Sequence, residues 1–331
     1  MISTNSFADL FESIKTAKTE SEEIAAAFAL ADHYQELLEE HALLRDFSNK
    51  EETFLDGGVA LASQYALDCL RDPLRTTRFI AGTYQAIKDQ LVDRDKVNLL
   101  YAGCGPAAPL ILPFLHKFSP DQVRISLLDI TKSSIKAVKS LVEALQLQDY
   151  ITDYITADAI TYKAPKEHFD IMVSETMDKG LTREPQVRVM QNLLPQLKAT
   201  GLFIPQTIDV YGELTFYGKE PYFDLYKELQ TLGPSYETTQ RTKLFSIAKD
   251  VSSEQPFEFE SEWIQIPADL TETPDAAVFA EIQVYKERIL PKAKSLISNS
   301  YCIRSLIGKE NKHFKFCYST AGTPTWKLQI D

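Results

Sequence analysis

Two glutamates nine positions apart, Glu175 and Glu184, bound the stretch Ser174-Glu175-Thr176-Met177-Asp178-Lys179-Gly180-Leu181-Thr182-Arg183-Glu184. Carboxylates brought to one place can hold a cationic group through charge-assisted hydrogen bonds. A second constellation lies upstream. Glycine is scarce, 12 residues in all, yet Gly103 and Gly105 fall together in Ala102-Gly103-Cys104-Gly105-Pro106-Ala107-Ala108. A turn of that kind lets backbone N–H groups approach a ligand closely. Asp129 and the pair Asp158-Ala159 close two further apolar runs, and a carboxylate at the first of these places suits the hydroxyls of a nucleoside. Each residue also has a plainer reading. Asp129 can serve as an acid before Thr131, Glu175 can cap its strand, and Glu184 can open a helix from Pro185. Met177 reads equally as a substrate contact or as core, and Cys104 as a small packing residue.

These side chains need a scaffold that brings them to one edge. Short apolar runs at 97–102, 123–128, 169–173 and 202–204 alternate with helical stretches at 107–118, 133–147 and 186–198. That alternation specifies a parallel sheet with crossover helices, whose C-terminal strand edge is where open α/β folds bind ligands. Ahead of it, Thr19 and Glu22 make a capping box for an amphipathic helix running to about residue 47. Residues 49–58, ending in Asp56-Gly57-Gly58, read as a turn-like break, and helical patterns resume at 59–70 and 74–92. Beyond Gln206 the pattern alternates with period two, as in 208–217 and 279–285, which specifies antiparallel strands; 220–232 reads as a helical insertion. Three segments follow: a helical one over 1–90, an α/β one over 91–205 and an antiparallel β one over 206–331.

The 331 residues carry 35 Lys and Arg against 47 Asp and Glu, a net charge of −12. That excess argues against wrapping a nucleic acid, which requires a basic face, and favours a neutral or cationic partner. The acid is uneven: residues 1–90 hold 8 basic and 16 acidic side chains, whereas 91–205 hold 13 of each. Four scattered cysteines without a C-x-x-C pair read as reduced thiols, and no metal site is visible. No run approaches the length of a membrane span, so the expectation is a cytoplasmic protein that does not engage a membrane.

The turn admits two cofactors. Gly103-x-Gly105-x-x-Ala108 matches the dinucleotide fingerprint, while Gly-Cys-Gly-Pro-Ala after an apolar strand resembles the first motif of class I S-adenosylmethionine (SAM) methyltransferases. The latter usually present an acid or amide to the adenine edge at the third strand end, here Asp158-Ala159. With Ser174-Glu175-Thr176-Met177 and Glu184, the chain resembles the protein arginine methyltransferases, whose double-Glu loop has this spacing. Leu70-Arg71-Asp72-Pro73-Leu74-Arg75-Thr76 is similar to the family's Met-Leu-x-Asp-x-x-Arg-Thr segment. Leu193 to Lys198 and Gly201 to Pro205 are similar to the helix, turn and Pro leading into its β-barrel. Pro324-Thr325-Trp326-Lys327 looks like its Thr-His-Trp loop. The resemblance covers roughly residues 54–331.

The resemblance implies a Rossmann-like class I methyltransferase sheet flanked by an N-terminal helical segment and a C-terminal β-barrel-like domain. It implies SAM as cofactor and S-adenosylhomocysteine as product, a methyl acceptor bearing a cationic nitrogen, and a possible homodimer formed through the 220–232 insertion. It assigns Glu175 and Glu184 as catalytic, Arg75 to the SAM carboxylate, Gly103, Gly105, Asp129, Asp158 and Ala159 to the rest of the cofactor, and Met177 and Trp326 to the substrate. The chain departs from the pattern in four places. Tyr101 stands where an acid precedes the first Gly, Thr176 follows Glu175 in place of Trp, Thr325 runs directly into Trp326 without the His, and no tyrosine pair occurs near Phe54. Methylation of a small metabolite on nitrogen or oxygen, and SAM binding without catalysis, stay open beside arginine methylation.

Overall fold

A computed structural model describes residues 4–40, 52–61, 68–166, 168–224, 240–251, 253–268 and 274–331. Two helices, α1 (Thr4–Thr16) and α2 (Glu20–Glu40), open the chain. The capping box forms as expected: Glu22 donates its amide to the Thr19 hydroxyl at 3.3 Å, and the Glu22 carboxylate accepts the Thr19 amide at 3.1 Å. The continuation to residue 47 lies outside the described residues.

A two-stranded hairpin follows, β1 (Thr53–Leu55) and β2 (Gly58–Ala60). The sequence pattern indicated a helix from residue 59, and the difference has a local cause. Gly57 and Gly58 adopt φ of 116° and 154°, which turn the chain back on itself and place the next residues in a strand. Residues 62–67, the rest of that expected helix, lie outside the described residues. Helix α3 (Pro73–Gln90) starts on a proline, which suits the first turn because its missing N–H would be unpaired there anyway.

The central sheet contains β3 (Val97–Ala102), β4 (Val123–Asp129), β5 (Ile151–Thr156), β6 (Ile171–Ser174) and β7 (Leu202–Ile204). All neighbours pair in parallel, in the order β5-β4-β3-β6-β7. Helices α4 (Lys132–Ala144) and α5 (Gln186–Leu193) provide crossovers. The helix expected at 107–118 does not form. Pro106, Pro109 and Pro113 remove amide donors and restrict the residues before them, and the segment folds as turns and a 3-10 helix, Leu112–Lys117. Helix α1 covers this segment, with Phe11 set edge-on to Tyr84 at 4.8 Å and tilted against Phe114 at 5.7 Å.

The last third forms two antiparallel sheets. Strands β8 (Thr207–Thr215), β9 (Gln240–Ile247), β12 (Asp275–Tyr285), β13 (Arg288–Leu290) and β14 (Tyr301–Ser305) make one. Strands β10 (Glu258–Glu260), β11 (Ile264–Gln265), β15 (His313–Ser319) and β16 (Thr325–Ile330) make the other. Of the helix expected at 220–232, residues 220–224 are irregular and 225–232 lie outside the described residues. Among the described residues no helix is long and apolar enough to cross a membrane. The architecture is thus the expected one, a parallel α/β sheet joined to an antiparallel β portion.

Candidate functional site

A cavity of about 300 Å³ opens at the C-terminal ends of β3, β4, β5 and β6, the edge at which open α/β sheets take ligands. Its floor is the glycine turn. Gly103 and Gly105 have φ of 71° and 59°, and a Cβ on Gly103 would stand 2.5 Å from the Thr176 methyl. The turn is laced to β4 by Gly103 and Cys104 amides donating to the Leu128 carbonyl at 2.8 and 3.1 Å. Asp129 ties two loops together, accepting the amides of Gly105 at 2.9 Å and Thr131 at 2.8 Å. Burial raises its pKa while these amide contacts pull it down. Asp158 accepts the Ile160 amide at 2.8 Å, and Asn192 donates to the Ala159 carbonyl at 2.9 Å, fixing the third strand end. Tyr101, in the position where the resemblance expects an acid, lines the cavity, and burial holds its phenol well above the usual range.

The loop after β6 carries the two glutamates. Glu175 is buried and ion-paired with Arg75; its Oε1 has no hydrogen-bond partner, and neither has Nε of Arg75. Arg75 also donates to the Cys69 carbonyl at 2.9 Å. Thr176 is pinned to Gln186, whose side-chain oxygen accepts the Thr176 amide at 2.8 Å. The loop then turns through three left-handed residues, Gly180, Leu181 and Arg183, with φ of 62°, 57° and 58°. Barrel side chains hold this turn: Trp326 Nε1 donates to the Gly180 carbonyl at 2.7 Å, and the Tyr318 hydroxyl to the Leu181 carbonyl at 2.8 Å. Glu184 comes back to the cavity half-buried. Desolvation in the cavity wall, and next the Asp178 carboxylate, push its pKa up to about 8, against the pull of Arg75 and Arg183.

Two further elements close the walls. From the barrel side, Leu296 and Ile297 reach the cavity, and their loop is anchored on Asp72 at the start of α3. Asp72 is fully buried and accepts the Ser295 hydroxyl at 2.7 Å and the Leu296 amide at 2.8 Å. No histidine lines the cavity among the described residues. On the other side the β1–β2 hairpin contributes Leu55 and Ala60, followed by Leu61. It is docked on the double-Glu loop by the Val59 amide to Arg183 and by the Glu52 carboxylate, which meets the Arg183 guanidinium at 3.0 and 3.1 Å.

Nine residues singled out from the sequence, Arg75, Gly103, Gly105, Asp129, Asp158, Ala159, Glu175, Met177 and Glu184, line this one cavity. Trp326 does not. It is buried in the barrel, stacked on Phe245 with centroids 5.8 Å apart, and touches the site only through the Gly180 carbonyl. The barrel loop that does reach the cavity is the one around Ser295, which carried no sequence signal. Asp72 stood inside the segment that supplied Arg75 without being singled out, and the hairpin was hidden behind Gly57-Gly58, read only as a break. Six carboxylates, of Asp72, Asp129, Asp158, Glu175, Asp178 and Glu184, line the space against the guanidiniums of Arg75 and Arg183. The donor set fits a non-phosphorylated nucleoside that carries an amino-acid tail: acids for hydroxyls and an ammonium, and an arginine with a buried unpaired N–H for a carboxylate.

No protein-family model matches the sequence, and no curated protein matches it. Solved structures do resemble it. Protein arginine methyltransferase 10 of Arabidopsis thaliana, in a uniquely open conformation, superposes with a TM-score of 0.53 at 13% identity, over 81% of this chain and 97% of that one. The PRMT1 enzyme–prozyme heterotetrameric complex of Trypanosoma brucei with AdoHcy gives a TM-score of 0.49 at 13% identity, over 80% of this chain and 97% of that one. The first likeness shows that the chain has a protein arginine methyltransferase-like fold.

Proposed function

We propose that this chain is a SAM-dependent N-methyltransferase that acts on a guanidinium or amine nitrogen. The observation that carries the reading is the convergence of the glycine turn, Asp129 and Asp158 with Glu175 and Glu184 in one carboxylate-rich cavity. The same cavity weighs against the dinucleotide alternative. A pyrophosphate needs free amides at a helix N-terminus. Here Pro106 has no N–H, the Gly105 amide is taken by Asp129, and no α-helix follows the turn. The ionised acids of the wall would repel the phosphates as well.

In this reading Gly103 and Gly105 give the cofactor room, Asp129 takes ribose hydroxyls, Asp158 and Ala159 meet the base edge, and Arg75 meets the carboxylate. Bound SAM supplies an electrophilic sulfonium methyl. The protein's contribution is to hold the acceptor nitrogen at the right place and angle, which accounts for most of what such a displacement requires. Glu175 and Glu184 fix the acceptor's N–H groups and keep positive charge on the nitrogens they touch, leaving lone-pair density on the attacking one. Glu184, with its pKa raised to about 8, must be ionised to meet the acceptor, and in that form it can receive the proton that the methylated nitrogen must shed. A small-molecule acceptor on the same scaffold is the second reading, favoured by the hairpin that walls the cavity with Leu55, Ala60 and Leu61.

The test is a thermal shift with S-adenosylhomocysteine against NAD, followed by transfer from methyl-labelled SAM. Label would be sought on an arginine-rich peptide and on a panel of small guanidines and amines. A shift with S-adenosylhomocysteine alone and label on a guanidine or amine is expected. A shift with NAD alone would overturn the cofactor, and label on oxygen alone would overturn the acceptor.

A further inference from the structure

The Arg75–Glu175 pair occupies the meeting point of the two halves of the cavity. Arg75 rises from the first turn of α3 beside the glycine turn, and Glu175 is the first carboxylate of the acceptor pair. Both side chains are largely buried, 15% and 2% exposed, so neither charge is balanced by solvent. Each nevertheless keeps one polar atom without a partner, Nε of Arg75 and Oε1 of Glu175. The pair is complete as an ion pair and incomplete as a hydrogen-bonding unit. In a buried site that leaves room for one added anion on the arginine side and one added cation on the glutamate side. The other guanidinium in the cavity wall, that of Arg183, is already engaged with Glu52 and does not substitute for Arg75.

We infer that Arg75 is a specificity-determining residue that makes binding of the cationic acceptor conditional on the carboxylate of the cofactor. Asp72 and Glu184 also act on Arg75 through space, but Glu175 is the carboxylate its guanidinium is paired with, so a second cation at Glu175 competes with Arg75 for the same carboxylate. A carboxylate on the Arg75 side gives the guanidinium, whose Nε has no partner, a second acceptor and releases Glu175 to the cationic nitrogen. The coupling is reciprocal, so a cationic acceptor equally strengthens binding of a carboxylate-bearing nucleoside. This inference rests on the proposed SAM reading of the cavity and adds the dependence on the tail.

The experiment compares two nucleosides by titration calorimetry, S-adenosylhomocysteine and 5′-methylthioadenosine, which keeps the adenosine and thioether but lacks the amino-acid tail. The acceptor probe is butylguanidine. It should bind at least about fivefold more tightly in the presence of S-adenosylhomocysteine than in the presence of methylthioadenosine, the lower end of ordinary coupling between sites. Arg75→Gln should bind butylguanidine without any nucleoside better than the parent protein does, a gain that loss of a merely structural residue would not produce. Should that variant fail to fold, the two-nucleoside comparison on the parent protein still decides. Equal binding of the probe with both nucleosides, or no binding of it with S-adenosylhomocysteine present, would overturn the inference and leave the cofactor assignment standing. Failure of S-adenosylhomocysteine itself to bind would remove the cofactor assignment and this inference together.

Discussion

Val59 donates its backbone N–H to the carbonyl of Arg183 at 2.8 Å, so the hairpin that walls the cavity is bonded to the residue immediately before Glu184. The Arg183 amide in turn donates to the Pro324 carbonyl at 3.1 Å. One left-handed residue thus joins hairpin, barrel and candidate active-site loop.

That joint should depend on backbone fit more than on charge. The Glu52–Arg183 ion pair is solvent-accessible, so Glu52→Gln should cost no more than about 1 kcal/mol. Gly58 has φ of 154° and a Cβ there would lie 2.6 Å from the Pro185 nitrogen. Gly58→Ala should therefore undock the hairpin, read as faster hydrogen exchange at the Val59 amide and weaker S-adenosylhomocysteine binding. Unchanged exchange in the alanine variant would contradict the docking described above.

Glu184→Gln should separate activity from stability. The amide is near-isosteric with the neutral carboxyl that burial favours at pH 7, so the melting temperature should hold or rise slightly. Methyl transfer should fall by about 10²–10³, the scale for removing one charge-complementary contact from a dry site.

The pH dependence follows from the same group. With its pKa raised to about 8, Glu184 carries its proton below that pH and must lose it to meet a cation. Affinity for butylguanidine with S-adenosylhomocysteine present should rise about tenfold per pH unit toward 8 and then level off. In Glu184→Gln that rise should disappear; its persistence would assign the titration elsewhere.

Gly103→Ala should damage both halves of the site. The new methyl would meet the Thr176 side chain, next to Glu175, and the left-handed conformation costs an L-residue about 1–2 kcal/mol. S-adenosylhomocysteine affinity should drop at least about tenfold, with a lower melting temperature.

Ser295→Ala tests the anchor of the barrel loop. It removes one of two donors to a fully buried Asp72 carboxylate, and a stranded buried acceptor costs about 1–3 kcal/mol. A loss of stability that shrinks at low pH, where Asp72 takes up a proton, is the expected signature.

Much of this was legible in the sequence because it is local. Strand β3 is marked by a short apolar run and β7 by another, and the glycines, Asp129 and Glu175 lie at or directly after the ends of their strands. What was hidden depends either on local residues that override the periodicity or on partners distant in the chain. The 107–118 stretch has helical periodicity, yet Pro106, Pro109 and Pro113 decide its backbone. Gly57-Gly58 reads as a break from either side; their positive φ angles turn the chain, and Pro185 and Arg188 pack close against the turn. Ser295 finds Asp72 across more than two hundred residues, a pairing without any spacing signal. Trp326 was misplaced for the same reason: its neighbours Thr325 and Lys327 resemble a loop, while its partners Phe245, Tyr318 and Gly180 put it in the barrel.

Those last contacts bear on how far the chain can be treated as modular. The carbonyls of Gly180 and Leu181 sit inside the turn between the two glutamates, and the groups that satisfy them are the indole of Trp326 and the phenol of Tyr318. The shape of the loop is therefore stored in another part of the polypeptide. Transplanting Ser174 to Glu184 onto a different α/β sheet would carry over both carboxylates without the template that sets their separation, and a graft has to bring β15 and β16 with it.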